Sequence, residues 1–184
     1  MIGTANAGVI EFDFTGGTGN HSSIDFSAGG LTTTATATWN GFTNTADVSN
    51  DRHHNTDSHG IGVKNNRLDS GQVDGFIRND YLTFTFDTIV ELTGFNFSHD
   101  SGNDEFDLYV DGLMVERNQE TTDGFLAFAP SSYMGTAFSV RANQNNDNFY
   151  VSGMQITTVV EPGTLALLGL GLAGLGYSRR SLKA

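Results

Sequence analysis

The stretch YLTFTFDTIVELTGFNFS, residues 81–98, decides the fold class of this 184-residue chain. Apolar and polar residues alternate along it, so that Leu82, Phe84 and Phe86 share one side. A period of two residues is typical of a β-strand that turns one face to a core and the other to water. The stretch therefore predicts two strands, at residues 81–87 and 89–98, in an all-β protein.

The same alternation recurs between residues 8 and 158, in runs such as GVIEFDF, LTTTATATW and TAFSVRAN. FDLYVDGLMVERNQE predicts a hairpin of Phe106–Val110 and Leu113–Arg117 that turns at Asp111-Gly112. Residues 40–80 are predicted to be one long loop with a short strand at Ile61–Val63.

These runs give nine or ten short strands, and no window between them is convincing as an amphipathic helix. Many short strands separated by turn residues favour an antiparallel β-sandwich. The predicted fold is therefore all-β, a jelly-roll-like sandwich at residues 8–158 followed by a short C-terminal apolar helix. The predicted segments are 1–7, 8–158 and 159–184.

The charge balance narrows the possible functions. The chain has 21 acidic and 9 basic residues, a formal net charge of -12, and no cysteine. Nucleic-acid phosphates need basic patches, so this composition argues against nucleic-acid binding. The lack of cysteine excludes disulfides, thiolate zinc sites and a cysteine nucleophile.

Two acidic, glycine-containing loops have the oxygen ligands that Ca²⁺ prefers. They are LDSGQVDGFIRND and HDSGNDEFD, and neither has the spacing of a known calcium motif. Solvated turn carboxylates are the alternative explanation. The candidate ligands are Asp69, Asp74, Asn79 and Asp80 in the first loop and Asp100, Asn103, Asp104, Glu105 and Asp107 in the second.

A third segment, DRHHNTDSHG, could bind Zn²⁺ or Ni²⁺, although its spacing fits no zinc motif and an exposed loop is the alternative. Its imidazoles and carboxylates belong to His53, His54, His59, Asp51 and Asp57.

Catalytic motifs are missing from the sequence, which contains no G-x-S-x-G, H-E-x-x-H or P-loop pattern. We therefore expect no enzymatic activity. Carbohydrate binding by aromatic stacking suits an exported β-sandwich better. The candidate platforms are Trp39, Tyr81, Tyr109, Tyr133 and Tyr150, of which Trp39 is also expected to enter the core.

Both ends of the chain point to export. Ala5 and Ala7 form an A-x-A signal-peptidase pattern directly before the first strand, so residues 1–7 are predicted to be a signal-peptide remnant behind a truncated start. At the other end, Leu165–Tyr177 carries no charge. As a helix it would span only about 20 Å of a hydrocarbon core of about 30 Å. The flanking Arg179 and Arg180 would hold its end in the cytoplasm.

The tail resembles a PEP-CTERM sorting signal, which has a Pro-Glu-Pro motif, an apolar segment and a basic end. Here Val160 stands where that family has its first proline, before Glu161 and Pro162, and Arg179-Arg180 supplies the basic end. The resemblance implies an exosortase partner in a Gram-negative bacterium, transit through the inner membrane, and an association with exopolysaccharide and biofilm. The preceding domain also resembles the variable β-sandwich passengers of such proteins.

We therefore expect an exported cell-surface or extracellular-matrix protein, non-catalytic, structural or adhesive, that binds polysaccharide or calcium. The alternative is a secreted carbohydrate-binding module or carbohydrate-active enzyme.

Overall fold

The computed structural model describes residues 8–16, 19–39, 44–50, 59–65, 70–75, 79–98, 102–129 and 131–158. They belong to one compact unit, Gly8–Thr158. The predicted signal remnant with Ala5 and Ala7, and the predicted C-terminal helix, lie outside the described residues. None of the described segments forms a helix long and apolar enough to cross a membrane.

Thirteen strands make up the described part of the chain. They are β1 Val9–Asp13, β2 Gly19–His21, β3 Ser23–Ala28, β4 Leu31–Trp39, β5 Asn44–Asn50, β6 Ile61–Lys64, β7 Val73–Asp74, β8 Asp80–Ser98, β9 Glu105–Val110, β10 Leu113–Glu120, β11 Gly124–Ala127, β12 Tyr133–Ala142 and β13 Asn148–Thr158.

Five of these strands form a closed ring. The hydrogen-bonded order is β13, β6, β5, β4 and β8, and β8 pairs again with β13. The other strands extend this ring: β12, β9 and β10 continue beyond β8, β1 and β7 pair with β13, β2 with β5, β3 with β4, and β11 with β8. All pairings between these named strands are antiparallel.

The predicted all-β class is thus confirmed, but a closed ring with added strands is not clearly the predicted jelly-roll sandwich. The reason lies in β8, which was predicted as two strands and is one strand of 19 residues. Its first half pairs with β4, and its second half pairs with β13. A strand shared in this way joins what would otherwise be two sheets.

The region predicted as a long loop, 40–80, contains three strands. β6 confirms the predicted strand at Ile61–Val63, whereas β5 and β7 were missed. The β9–β10 hairpin is confirmed, and its turn residues Asp111 and Gly112 have φ angles of 48° and 81°. Such left-handed pairs suit the twist of a two-residue hairpin, which explains the Asp-Gly sequence.

Phenylalanine dominates the core. Of the twelve largest fully buried side chains, eight are phenylalanines. Phe84 stacks on Phe14 with ring centroids 5.0 Å apart and contacts Phe95 at 5.7 Å, while Phe97 lies 5.0 Å from Phe106. Aromatic pairs add to the stabilisation from burial alone. The alternate residues of the same strands therefore face outward, and they form the candidate site.

Candidate functional site

The outward face of β3, β4, β8 and β12 is covered by hydroxyl groups. The residues between them in sequence, such as Ala35, Phe84 and Val140, are fully buried, which fixes the hydroxyls on the opposite side. We call this surface the hydroxyl face, and its members are Ser23, Thr34, Thr36, Thr38, Thr83, Thr85 and Ser139.

Strand register aligns the hydroxyl face in rows. Ser23 pairs with Thr36, Thr36 with Thr83, and Thr83 with Ser139, whose other partner is Tyr109 on β9. One row therefore carries five hydroxyls on five neighbouring strands. Strand spacing places them about 4.8 Å apart.

Neighbouring hydroxyls of this face hydrogen-bond to each other or to a carboxylate. The Thr83 and Ser139 hydroxyl oxygens are 2.8 Å apart, and the Thr34 hydroxyl donates to Asp25 Oδ1 at 2.7 Å. A hydroxyl offers one donor and two acceptor positions, so such a pair keeps capacity for a further polar group. Thr85 is exposed, and Thr34, Thr36 and Thr83 are half-buried.

At one end the face closes with an arginine between two tyrosines. Arg141 Nη1 donates to the Tyr109 hydroxyl at 3.0 Å and lies 3.4 Å from Asp107 Oδ2. Its guanidinium carbon lies 5.7 Å from the centre of the Tyr81 ring. We call Tyr81, Tyr109, Asp107 and Arg141 the arginine cluster.

The ionisation of the arginine cluster follows from its burial. Burial raises the pKa of Tyr81, and the charge of Arg141 only partly opposes this. Burial also disfavours the Arg141 cation, but the hydrogen bond to Tyr109 and the nearby Tyr81 and Asp107 raise the pKa of Arg141 overall. At neutral pH the cluster therefore presents a fixed cation beside neutral phenols.

Three buried polar atoms in this region have no hydrogen-bond partner in the protein. They are Thr38 Oγ1, Arg141 Nε and Asp107 Oδ2, the last of which keeps its ion pair with Arg141. Leaving such a group unsatisfied costs about 1–3 kcal/mol. Polar groups with unused capacity favour contact with a ligand rich in hydroxyls.

Of the five predicted aromatic platforms, the structure brings Tyr81 and Tyr109 together, with ring centroids 5.8 Å apart. Trp39 is half-buried at the end of β4. Tyr150 is buried and stacks on His59. Tyr133 donates to a Glu116 carboxylate oxygen, and burial together with this carboxylate raises the pKa of Tyr133 to about 12.

The first predicted calcium loop contributes Asp74, Asn79 and Asp80 to the described residues, while Asp69 lies outside them. Asp80 is fully buried, and its two carboxylate oxygens accept from Asn65 Nδ2 at 3.2 Å and from the Asp74 backbone N–H at 3.4 Å. The Asp74 carboxylate accepts from the Ser70 hydroxyl at 3.0 Å. These carboxylates thus hold the loop before β8 together.

The second predicted loop contributes Asn103, Asp104, Glu105 and Asp107, while Asp100 lies outside the described residues. Asp104 Oδ1 accepts from the Asn148 backbone N–H and Asp107 Oδ1 from that of Asn118, both at 3.0 Å. Asn103 is exposed.

No group of three or more His, Asp or Glu side chains within the described ranges could hold a metal ion. Calcium binding therefore stays a prediction. In the histidine segment, His53, His54, Asp51 and Asp57 lie outside the described residues.

Sequence reasoning missed Asp147, Arg141 and most of the hydroxyl face. Asp147 is buried and accepts backbone hydrogen bonds from Gln144 at 2.6 Å and Asn143 at 3.1 Å. Burial raises the pKa of Asp147, the backbone hydrogen bonds lower it, and the neighbouring Asp104 raises it further. A signal was available for Arg141, since TAFSVRAN places one charge in an otherwise uncharged strand.

Comparison with known proteins gives a match in the tail. Residues 159–180 match the family model of the PEP-CTERM protein-sorting motif. This match includes Val160, Glu161, Pro162, Arg179 and Arg180, which lie outside the described residues. No curated protein and no solved structure matches the chain. The motif implies a secreted protein that passes through the membrane and is sorted and processed by an exosortase.

Proposed function

We propose that this chain is a non-catalytic protein of the cell surface or extracellular matrix of a Gram-negative bacterium, and that its β domain binds exopolysaccharide. The observation that carries the proposal is the row of five hydroxyls on five strands that ends at Tyr109, beside Arg141. Its role would be adhesive or structural in a biofilm.

The chemistry of the hydroxyl face suits a sugar polymer. Sugar hydroxyls act as both donors and acceptors, as do the threonine and serine hydroxyls of this face. A repeating ligand also suits a surface that repeats at the strand spacing. Because the protein has a net charge of -12, a neutral polysaccharide is favoured over an acidic one.

Binding can be tested with the full chain in a detergent that has no sugar headgroup, by affinity electrophoresis through gels containing neutral glucans, mannans or galactans. Retardation by at least one polymer is expected. The double variant Thr36→Val with Thr85→Val should bind about tenfold more weakly, since each net hydrogen bond contributes about 0.5–1.5 kcal/mol.

Thr122→Val is the matched control, because Thr122 is exposed and lies between β10 and β11, off the hydroxyl face. Equal binding by the double variant and the wild-type chain would contradict the proposal. Release of reducing ends from the polymer would instead favour the alternative function, a carbohydrate-active enzyme.

A further inference from the structure

Four large apolar side chains are exposed at one end of the β domain. They are Leu113, Met134, Val9 and Ile89, with exposed fractions of 73%, 65%, 63% and 55%. We call them the exit patch, because strand register places them around the point where the chain leaves the domain.

The register across β1, β13, β8 and β12 brings three members of the patch into one neighbourhood. Val9 pairs with Thr157, Thr157 with Glu91, and Glu91 with Met134. Directly paired residues share a face of the sheet, so Val9 and Met134 lie on the face that carries Glu91. Ile89, two residues before Glu91 on β8, lies on that face as well.

The fourth member reaches the same end through the β9–β10 hairpin. Gly135 pairs with Val90, and a Cβ atom on Gly135 would lie 2.5 Å from a Val110 methyl group. Val110 in turn pairs with Leu113. The tip of this hairpin is therefore beside the residues that flank Thr158.

Chain length limits how far this end can be from a membrane. Thr158 pairs with Val90, and only residues 159–164 separate it from the apolar segment that begins at Leu165. Six residues span at most about 20 Å when fully extended. We propose that the exit patch rests on the surface of the lipid bilayer that holds the tail, with its apolar side chains at the headgroup boundary; this proposal rests on the sorting function of the tail.

The charged groups at this end are held by protein donors. The Glu91 carboxylate accepts from the hydroxyls of Ser132 and Thr157. Asp111 Oδ1 accepts from the backbone N–H groups of Thr136 and Ala137, at 3.0 and 2.9 Å. Carboxylates satisfied in this way depend less on water, which suits a position at a membrane surface.

These carboxylates are nevertheless negative, as are Glu116, which accepts from Tyr133, and the exposed Asp87 and Glu11. An anionic lipid surface would repel them. The lipid that fits this end of the domain is therefore zwitterionic.

The test uses the full chain reconstituted in phosphatidylcholine vesicles, with a nitroxide on one introduced cysteine at a time. The native chain has no cysteine, so each label is unique. Labels on Met134→Cys and Ile89→Cys should gain collisions with lipid-soluble oxygen and lose collisions with a water-soluble nickel complex. Asn145→Cys, exposed in the turn before β13, serves as the water-facing reference because it precedes that strand and Thr158 ends it.

A label on Leu172→Cys in the tail reports separately on insertion of the apolar segment. If Leu172 is in lipid while Met134 and Ile89 are as accessible to nickel as Asn145, the exit-patch proposal is wrong and the tail assignment stands. If Leu172 is also in water, the tail assignment fails as well. Spin–spin broadening at Met134 that disappears on dilution with lipid would show a second copy as the occupant and would overturn the proposal.

Discussion

Arg141 and Asp107 face each other across β12 and β9, with Nη1 3.4 Å from Oδ2, and Asp107 is almost completely buried. A buried carboxylate without its cation is costly, so this pair ties the end of the hydroxyl face to the stability of the fold.

Replacing Arg141 alone should destabilise the protein. Arg141→Met leaves the Asp107 carboxylate with only its hydrogen bond from Asn118, and we expect the free energy of unfolding to fall by about 2–4 kcal/mol. The measurement is urea denaturation of the full chain. In the double variant with Asp107→Leu most of the loss should be recovered, because no unpaired charge remains. Additive losses in the two single variants and the double variant would contradict this explanation.

The phenylalanine core predicts a large cavity effect at Phe84. Phe84→Ala removes contacts with Phe14 and Phe95 and should cost about 3–5 kcal/mol. Phe125→Ala is the matched control, since Phe125 is 41% exposed and should lose about 1 kcal/mol or less. Thermal melts followed by near-ultraviolet circular dichroism would compare the two, and similar losses would argue against the central position of Phe84.

The hairpin turn predicts a purely conformational cost at Gly112. Its φ is 81°, and a Cβ atom there would meet no neighbour within 4 Å. Gly112→Ala should therefore destabilise by about 1 kcal/mol through backbone strain alone. Gly16→Ala, also with no neighbour within 4 Å but without a positive φ, should have a smaller effect. Chemical denaturation of both variants tests the difference, and the reverse order would show that the turn is not left-handed.

Stability should also depend on acid through Asp111. Burial would raise the pKa of Asp111, but the hydrogen bonds from Thr136 and Ala137 outweigh it and hold the pKa below the ordinary value of 3.8. A lowered pKa in the folded state adds stability above 3.8 that is lost as the pH falls through the folded pKa. In Asp111→Asn this part of the acid-induced loss should be missing. Melting temperatures from neutral pH to below 3.8 test it, and an unchanged acid dependence would refute it.

The strands were predictable and their closure was not. Alternation within residues 81–98 is a local property, and it identified β8 apart from its continuity. The pairing of Thr158 with Val90 joins positions far apart in sequence, which no local period encodes. The hydroxyl face shows the same limit. LTTTATATW places its threonines on one side, but only register brings Thr83 and Ser139 beside them.

The sorting motif gives the most direct test of where the protein goes. Glu161 and Pro162 are the residues that keep the family's pattern, whereas Val160 departs from it. The double variant Glu161→Ala with Pro162→Ala should therefore stay unprocessed in the inner-membrane fraction, because the exosortase would no longer recognise it. Val160→Pro restores the family's motif at the adjacent position and should be processed at least as well as the wild-type chain. Cell fractionation with gel mobility distinguishes the two forms, and normal export of the double variant would show that recognition depends on other residues of 159–180.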